Sequence, residues 1–363
     1  MPSHPSPPAR SAVVVPYAPD APPPQLAPLA GPDRPGGPAV PERWNAVDRS
    51  AHAPHLVAVP GADATEWIAA ALVTARPGTS YLKIVDALGD VPAAVGAVLE
   101  TARRRGLAQV KWEGWTTTAE EATALGFTPL RTPPGAEGPD SGYIRRLYGA
   151  EPAAPPYYAQ TTHFTCGAVT ALVARAHAGA LPGEALDRDA ELTLWRAATN
   201  FPACEPVGLG VAVHRAWPSA PVTVFLDTED PVLLDHLPEA EQEWRAALQR
   251  LSRADAERSG TPVDPRRLSL PEIRAALDRG GHVLLLVSLA TLQGFDVPHW
   301  ILCHGTVPGA VVVDDPWAHA PAGDTWVDAH LLPVPDASLD AMSVLSPARF
   351  RGAVHIAPAS TGP

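Results

Sequence analysis

The chain has 363 residues, 46% hydrophobic and 18% charged, which is the composition of an ordinary globular protein and excludes a disordered or fibrous one; the length predicts about two domains. The formal net charge is −12 and Lys83 and Lys111 are the only lysines, so no basic stripe exists to follow a phosphate backbone and nucleic acid is excluded as a partner. No apolar run approaches the ~20 residues of a membrane span. The cysteines number only three and the N-terminus lacks a signal-peptide pattern, so the expected setting is a reducing cytoplasm.

In chain order, residues 1–42 are crowded with proline, as in APDAPPPQLAPLAGPDRPGGPAVPE, and read as a disordered leader. Residues 43–150 predict a small α/β domain. TEWIAAALVTA (65–75) and VPAAVGAVLETARRRG (91–106) carry apolar residues at helical spacing, SYLKIVDAL and QVKWEGW read as strands, and EEATALGF reads as a short helix. The clusters RTPPGAEGPDSG (131–142) and AEPAAPP (150–156) read as turns and a linker, which places a boundary near residue 150.

Residues 151–363 change pattern. Helices are expected over about 166–178, 184–198, 207–216 and 238–256, with 200–260 reading as an insertion that shapes one side of a cleft. SLPEIRAALDRGG is a helix stopped by a glycine pair, and HVLLLVSL, HWILCHGTV and AVVVDDPW are strands. Helices first and an antiparallel sheet second predict an α+β domain.

The chemistry gathers around QTTHFTCGAV. A cysteine nucleophile acts as a thiolate, which a helix N-terminus stabilises through its unpaired amides, and Cys166 stands at such a start. Gly167 behind it would let a substrate approach the backbone, and Gln160 could add a second donor for an oxyanion. The base must come from elsewhere. His299 opens the strand in DVPHWILCHG, and Asp314 and Asp315 end the next one, so a hairpin brings His299 and an aspartate together to fix the imidazole tautomer. His163 reads as a loop residue, His304 as facing away from His299 by alternation, and Cys303 as a core thiol; Cys204 sits in a loop that could line the cleft. No paired ligands occur at zinc-site spacing, so no metal is expected, and Trp300, Trp317 and Trp326 read as core or cleft wall. Taken alone, Cys166 fits a buried core thiol better than a nucleophile.

The series QTTHFTCGA, PHWILCHG, VVVDDPW resembles the papain-like bacterial cysteine peptidases that cleave double-glycine leader peptides, and more closely their stand-alone relatives, over about 155–355. The resemblance implies a papain-like fold with Cys166 as nucleophile, His299 as base, Asp315, which matches the family's Asp-Pro, as orienting partner, and Gln160 as oxyanion donor. Before it, over about 50–150, the succession of strand, helix ending ARRRG, strand, short helix EEATALGF and strand resembles the second half of a GNAT acetyltransferase. That family's pyrophosphate loop has no counterpart in DALGDVPAAVG, so no cofactor is expected.

The resemblance thus implies acyl transfer or hydrolysis of the peptidase or amidase type, through a thioester on Cys166, with a peptide or an amide-linked small molecule as substrate. Three alternatives stay open: a ligase or acyltransferase using the same residues, a non-catalytic peptide-binding protein, and an active acetyltransferase with a docking domain. The sequence does not indicate an oligomeric state.

Overall fold

Two seven-stranded sheets, one in each half of the sequence, organise the chain. The computed structural model describes residues 11–29, 40–63, 65–133, 138–149, 153–198, 203–345 and 347–358.

The first sheet contains β1 (Val13–Pro16), β2 (His55–Pro60), β3 (Trp67–Thr74), β4 (Tyr81–Gly89), β5 (Gln109–Glu113), β6 (Thr128–Pro129) and β7 (Gly142–Arg146), in the order β1-β2-β3-β4-β5-β7-β6. Its neighbours are antiparallel except β4 and β5, which run parallel because α2 (Val91–Arg104) crosses between them. Helix α1 (Val40–Asn45) precedes β2, and α3 (Ala119–Ala124) follows β5. The order strand, helix, strand, short helix, strand expected of this half is therefore present. Val95, Val98 and Leu99 of α2 pack on the sheet in a core with Ile84, Trp112 and Phe127.

Two expectations fail here. TEWIAAALVTA forms strand β3, not a helix: it lies between β2 and β4 and is buried on nearly every residue, so the alternation that marks a half-exposed strand is missing. Part of the proline-rich leader is folded as well. Val13–Pro16 pairs with β2, and Tyr17, Leu26 and Trp44 are buried together, Tyr17 donating to Asn45 Oδ1 at 2.7 Å. Residues 1–10 and 30–39 of that leader, and 150–152 at the expected boundary, lie outside the described residues.

The second half runs α4 (Cys166–His177), α5 (Arg188–Ala198), α6 (Pro206–Ala216), β8 (Val222–Leu226), α7 (Glu239–Ser259), β9 (Val263–Asp264), α8 (Leu270–Asp278), β10 (His282–Ser288), α9 (Ala290–Gln293), β11 (Pro298–Val307), β12 (Ala310–Asp314), α10 (Trp326–Ala329), β13 (Leu332–Pro335), α11 (Asp336–Met342) and β14 (Gly352–Ile356). Its sheet has the order β13-β12-β11-β10-β14-β8-β9, antiparallel except for the β8–β9 pair. Alternate residues of β11 serve two cores: Trp300 and Leu302 meet Val169, Leu172 and Val173 of α4, while Ile301 and Cys303 join Ile273 and Leu277 of α8. The stretch expected to be an insertion supplies α6, β8 and α7 to this architecture. Gly210 of α6 lies so close to β8 that an added Cβ would sit 2.1 Å from Val224 Cγ2.

The two halves meet through buried polar groups. Lys83 Nζ lies 2.5 Å from Asp328 Oδ2 and 2.7 Å from Glu113 Oε1. Lys111 Nζ donates to the carbonyls of Asp328 and His330 at 2.9 and 2.6 Å, and Gln109 Nε2 to that of Leu331 at 2.7 Å. Burial, which Asp328 offsets only in part, brings the Lys111 ammonium down to about 7.

Candidate active site

Helix α4 starts at Cys166 and has no side-chain cap. The preceding residue, Thr165, would ordinarily fold its hydroxyl over the first turn. Instead Thr165 Oγ1 donates to Glu191 Oε1. Glu191 of α5 is fully buried and also accepts from the Thr161 amide at 2.8 Å and the Tyr158 hydroxyl at 3.0 Å. The segment leading into the helix is stitched on its other side to the end of β12: Tyr157 Oη donates to the Asp315 carbonyl at 2.9 Å, and the Gln160 amide to the Pro316 carbonyl at 2.8 Å. Cys166 is thereby held at an uncapped helix start.

Cys166, His299 and Asp315 come together as expected. His299, at the start of β11, and Asp315, just past β12, are joined by the hairpin, with His299 Nε2 2.8 Å from Asp315 Oδ1. Asp315 thus occupies Nε2, which leaves Nδ1 for Cys166, whose thiol is a hydrogen-bonding and electrostatic partner of the ring. Burial opposes a charged imidazole here, but Asp315 and Cys166 outweigh it and push the His299 pKa up to about 10. Burial likewise raises Asp315, and His299 and Arg76 more than offset it, so the carboxyl is held below its ordinary range. The arrangement is an imidazolium at neutral pH, locked in orientation by a carboxylate and set beside a thiol.

Gln160, expected as an oxyanion donor, lies in the segment before α4. Its Nε2 donates to the Thr162 carbonyl at 2.7 Å, so one of its two amide protons is taken, and its buried Oε1 has no partner among the described residues. Gly167 does something other than admit a substrate. An added Cβ would lie 3.1 Å from both Leu209 Cδ2 and Trp300 Cδ1 and 3.3 Å from Cys204 Cβ, so the glycine allows α4 to pack closely on β11 and α6. Cys204 is buried behind it, its thiol pushed up by burial and then by Cys166, and its carbonyl accepts from Trp300 Nε1 at 3.0 Å. Cys303 is a core thiol raised by burial. His163 lies exposed in a turn, and His304 turns to Asp314, 3.4 Å from its Oδ1, at a bulge in β11. Trp317 borders His299 at 6.3 Å between ring centroids and, with Phe295, walls one side of the site.

A family model described as "Peptidase_C39 like family" matches residues 155–357, more than half of the chain. The chain belongs to that family. No curated protein matches it. Among solved structures, it is similar to the aminoglycoside 6'-N-acetyltransferase from Enterococcus faecium, at 12% identity over 38% of this chain and 99% of that one with a TM-score of 0.27. It is also similar to the ribosomal-protein-S18-alanine N-acetyltransferase from Escherichia coli, at 14% identity over 39% of this chain and 96% of that one with a TM-score of 0.26.

The start of α2 does not fit an anion. Asp90 caps it, accepting from the Ala93 amide at 3.1 Å, and Pro92 removes another amide from the first turn. Among the described residues no group of three or more His, Cys, Asp or Glu side chains is arranged to hold a metal, and no helix is long and apolar enough to cross a membrane. Two residues of this C39-like site were not legible as such in the sequence: Glu191, an ordinary acidic position of an amphipathic helix, and Arg76, in a loop of the other half of the chain. No spacing or motif marks either.

Proposed function

We propose that the chain is a cysteine-dependent acyl-transfer enzyme of the peptidase or amidase type on a papain-like scaffold, with Cys166 as nucleophile, His299 as acid and base, and Asp315 as its orienting partner. The observation that carries the reading is the bridging position of His299, between Cys166 and the Asp315 carboxylate 2.8 Å away.

In this mechanism the Cys166 thiolate attacks the carbonyl carbon of a peptide or an amide-linked small molecule. The S–C bond forms, and the carbonyl π electrons move to oxygen, where the first-turn amide of Cys166 and the free Nε2 proton of Gln160 receive them. His299 gives its proton to the departing nitrogen as the C–N bond breaks, leaving a thioester. His299, now neutral, takes a proton from water or from an acceptor amine, which attacks the thioester; the S–C bond breaks and the thiolate and imidazolium are restored. Water gives hydrolysis and an amine gives ligation. The half-buried Phe295 and Trp317 beside His299 favour substrates with an apolar group next to the scissile bond.

Intact-mass trapping with peptide p-nitroanilides and activated amides tests this. The expected result is one acyl adduct on the wild type and none on Cys166→Ala, together with iodoacetamide labelling of Cys166 at pH 6 far faster than of Cys204 or Cys303. Absence of an adduct combined with equal, slow labelling of all three thiols would overturn it.

A further inference from the structure

Arg76 belongs to the loop between β3 and β4, in the half of the chain that carries none of the three residues discussed above. Its side chain is completely buried. Nη1 donates to Asp315 Oδ2 at 2.6 Å, Nη2 to the Trp317 carbonyl at 3.1 Å, and Nε to Asp324 Oδ2 at 3.1 Å, with Nη2 2.9 Å from that same oxygen. The loop is fixed on both sides of it. The Ala75 amide donates to the His52 carbonyl at 3.1 Å, Thr79 Oγ1 to the carbonyl of Arg76 itself at 2.5 Å, and the Ser80 amide to the Pro333 carbonyl of the other half at 2.9 Å.

From the side of Asp315, both carboxylate oxygens have donors. Oδ1 accepts from His299 Nε2 and from the Trp317 amide, both at 2.8 Å, and Oδ2 accepts from Arg76. Without the guanidinium, Oδ2 would be a buried anionic oxygen with no donor, and a buried carboxylate in that state takes up a proton or turns toward another partner. Either outcome weakens its hold on His299. The planar fork matters, because three separate nitrogens reach Asp315, Asp324 and the Trp317 carbonyl in fixed directions, which the single nitrogen of an ammonium does not reproduce.

The charged groups facing this site from each side alternate in sign through His299, Asp315, Arg76 and Asp324, with Cys166 beyond His299. Asp324 is held further by Gln293 Nε2 at 2.8 Å, the His319 amide at 3.2 Å and His52 Nδ1 at 3.4 Å. Asp328, with Tyr81 and Lys83 on it, stands one layer behind, and Asp314, with His330 and His304, flanks the other side.

We infer that Arg76 is a positioning residue of the candidate peptidase site, so that the N-terminal sheet contributes to the chemistry by holding Asp315. The inference rests on the reading of Cys166, His299 and Asp315 given above. It makes the N-terminal unit a structural part of the site next door instead of an independent catalyst.

The test is the rate of Cys166 alkylation by iodoacetamide, followed by intact mass from pH 4 to 10, on full-length wild type, Asp315→Asn, Arg76→Met and Arg76→Lys. The wild type is expected to react well below pH 7. Asp315→Asn and Arg76→Met are expected to lose at least about tenfold in rate at pH 6 and to move the midpoint toward that of a free thiol, near 8.5. Arg76→Lys is expected to fall between. A purely structural interdomain contact would lower the folded fraction, and with it the amplitude, while leaving the midpoint in place. An Arg76→Met midpoint equal to the wild type's overturns the inference. Should that variant not fold, Arg76→Lys decides: a displaced midpoint supports it, an unchanged one overturns it. If the wild type itself reacts only as a free thiol, the reading of the three-residue site fails instead, and the two failures are told apart.

Discussion

Asp314 and Asp315 are adjacent, both buried, and both bonded to histidine, yet they face different regions. Asp314, the last residue of β12, accepts from the Leu331 amide at 2.7 Å and from His330 Nδ1 at 3.0 Å, with His304 Nε2 at 3.4 Å. Burial raises its carboxyl, and the two histidines overcome that and hold it well below the ordinary range. Its hydrogen-bond and charge partners belong to β11 and to the segment before β13. Asp315, one residue on, leaves the sheet, and its histidine has Cys166 on the far side. The same pair of groups is a structural tie in one place and a candidate relay in the other. The difference is made by what stands beyond the imidazole.

The strongest way to break this comparison is to remove each charge in turn. Asp315→Asn is expected to lower acyl-adduct formation by about 10³-fold or more, since an amide in that position orients the imidazole wrongly and withholds the counter-charge. Asp314→Asn is expected to leave that rate within about threefold. Single-turnover mass spectrometry on both variants checks the pair, and equal losses would abolish the distinction. Next in size is the titration of His299. Its pKa in the folded chain, about 10, lies above the ~6.5 of a free histidine. The imidazolium's contribution to stability is therefore complete below about 6.5 and is lost as pH rises through about 10. Imidazole ¹⁵N NMR is expected to show one ring titrating near 10 in the wild type and shifting toward 6.5 in Asp315→Asn but not in Asp314→Asn.

Asp314→Asn is expected to cost about 1.5–3 kcal/mol in denaturant unfolding, because charged hydrogen bonds to buried groups are lost. The smallest effect belongs to Tyr157, which touches both regions: its hydroxyl donates to the Asp315 carbonyl and its ring lies 5.4 Å from that of His330. Tyr157→Phe is expected to cost about 1 kcal/mol and to leave the alkylation profile of Cys166 unchanged, since the backbone carbonyl and not the carboxylate loses a donor.

What could be read from the sequence follows how local each signal is. Cys166 and His299 stand at recognisable element ends and the hairpin rule brings an aspartate to His299, while the choice of Asp315 over Asp314, and of Cys166 as nucleophile, came from the family resemblance. Strand β3 was not, because an alanine-rich run buried on both sides has the spacing of a helix and the environment of a central strand. β1 was hidden by the prolines around it, although VVVP pairs fully with β2. The part played by Gly167 was misread in kind, since a close neighbour across a helix interface leaves no trace in the local sequence. Arg76 stands 239 positions from Asp315 and carries no motif, so only the docking of the two sheets reveals it.

That docking also hides the chain's entire complement of lysine. Lys83 and Lys111 are both fully buried between the two halves, and the sequence has no others. Reagents aimed at side-chain amines therefore find none at the surface of the closed molecule, and succinimidyl esters acylate a lysine only when the halves come apart. The rate of that acylation is a clock for the opening of the joint that holds Asp315.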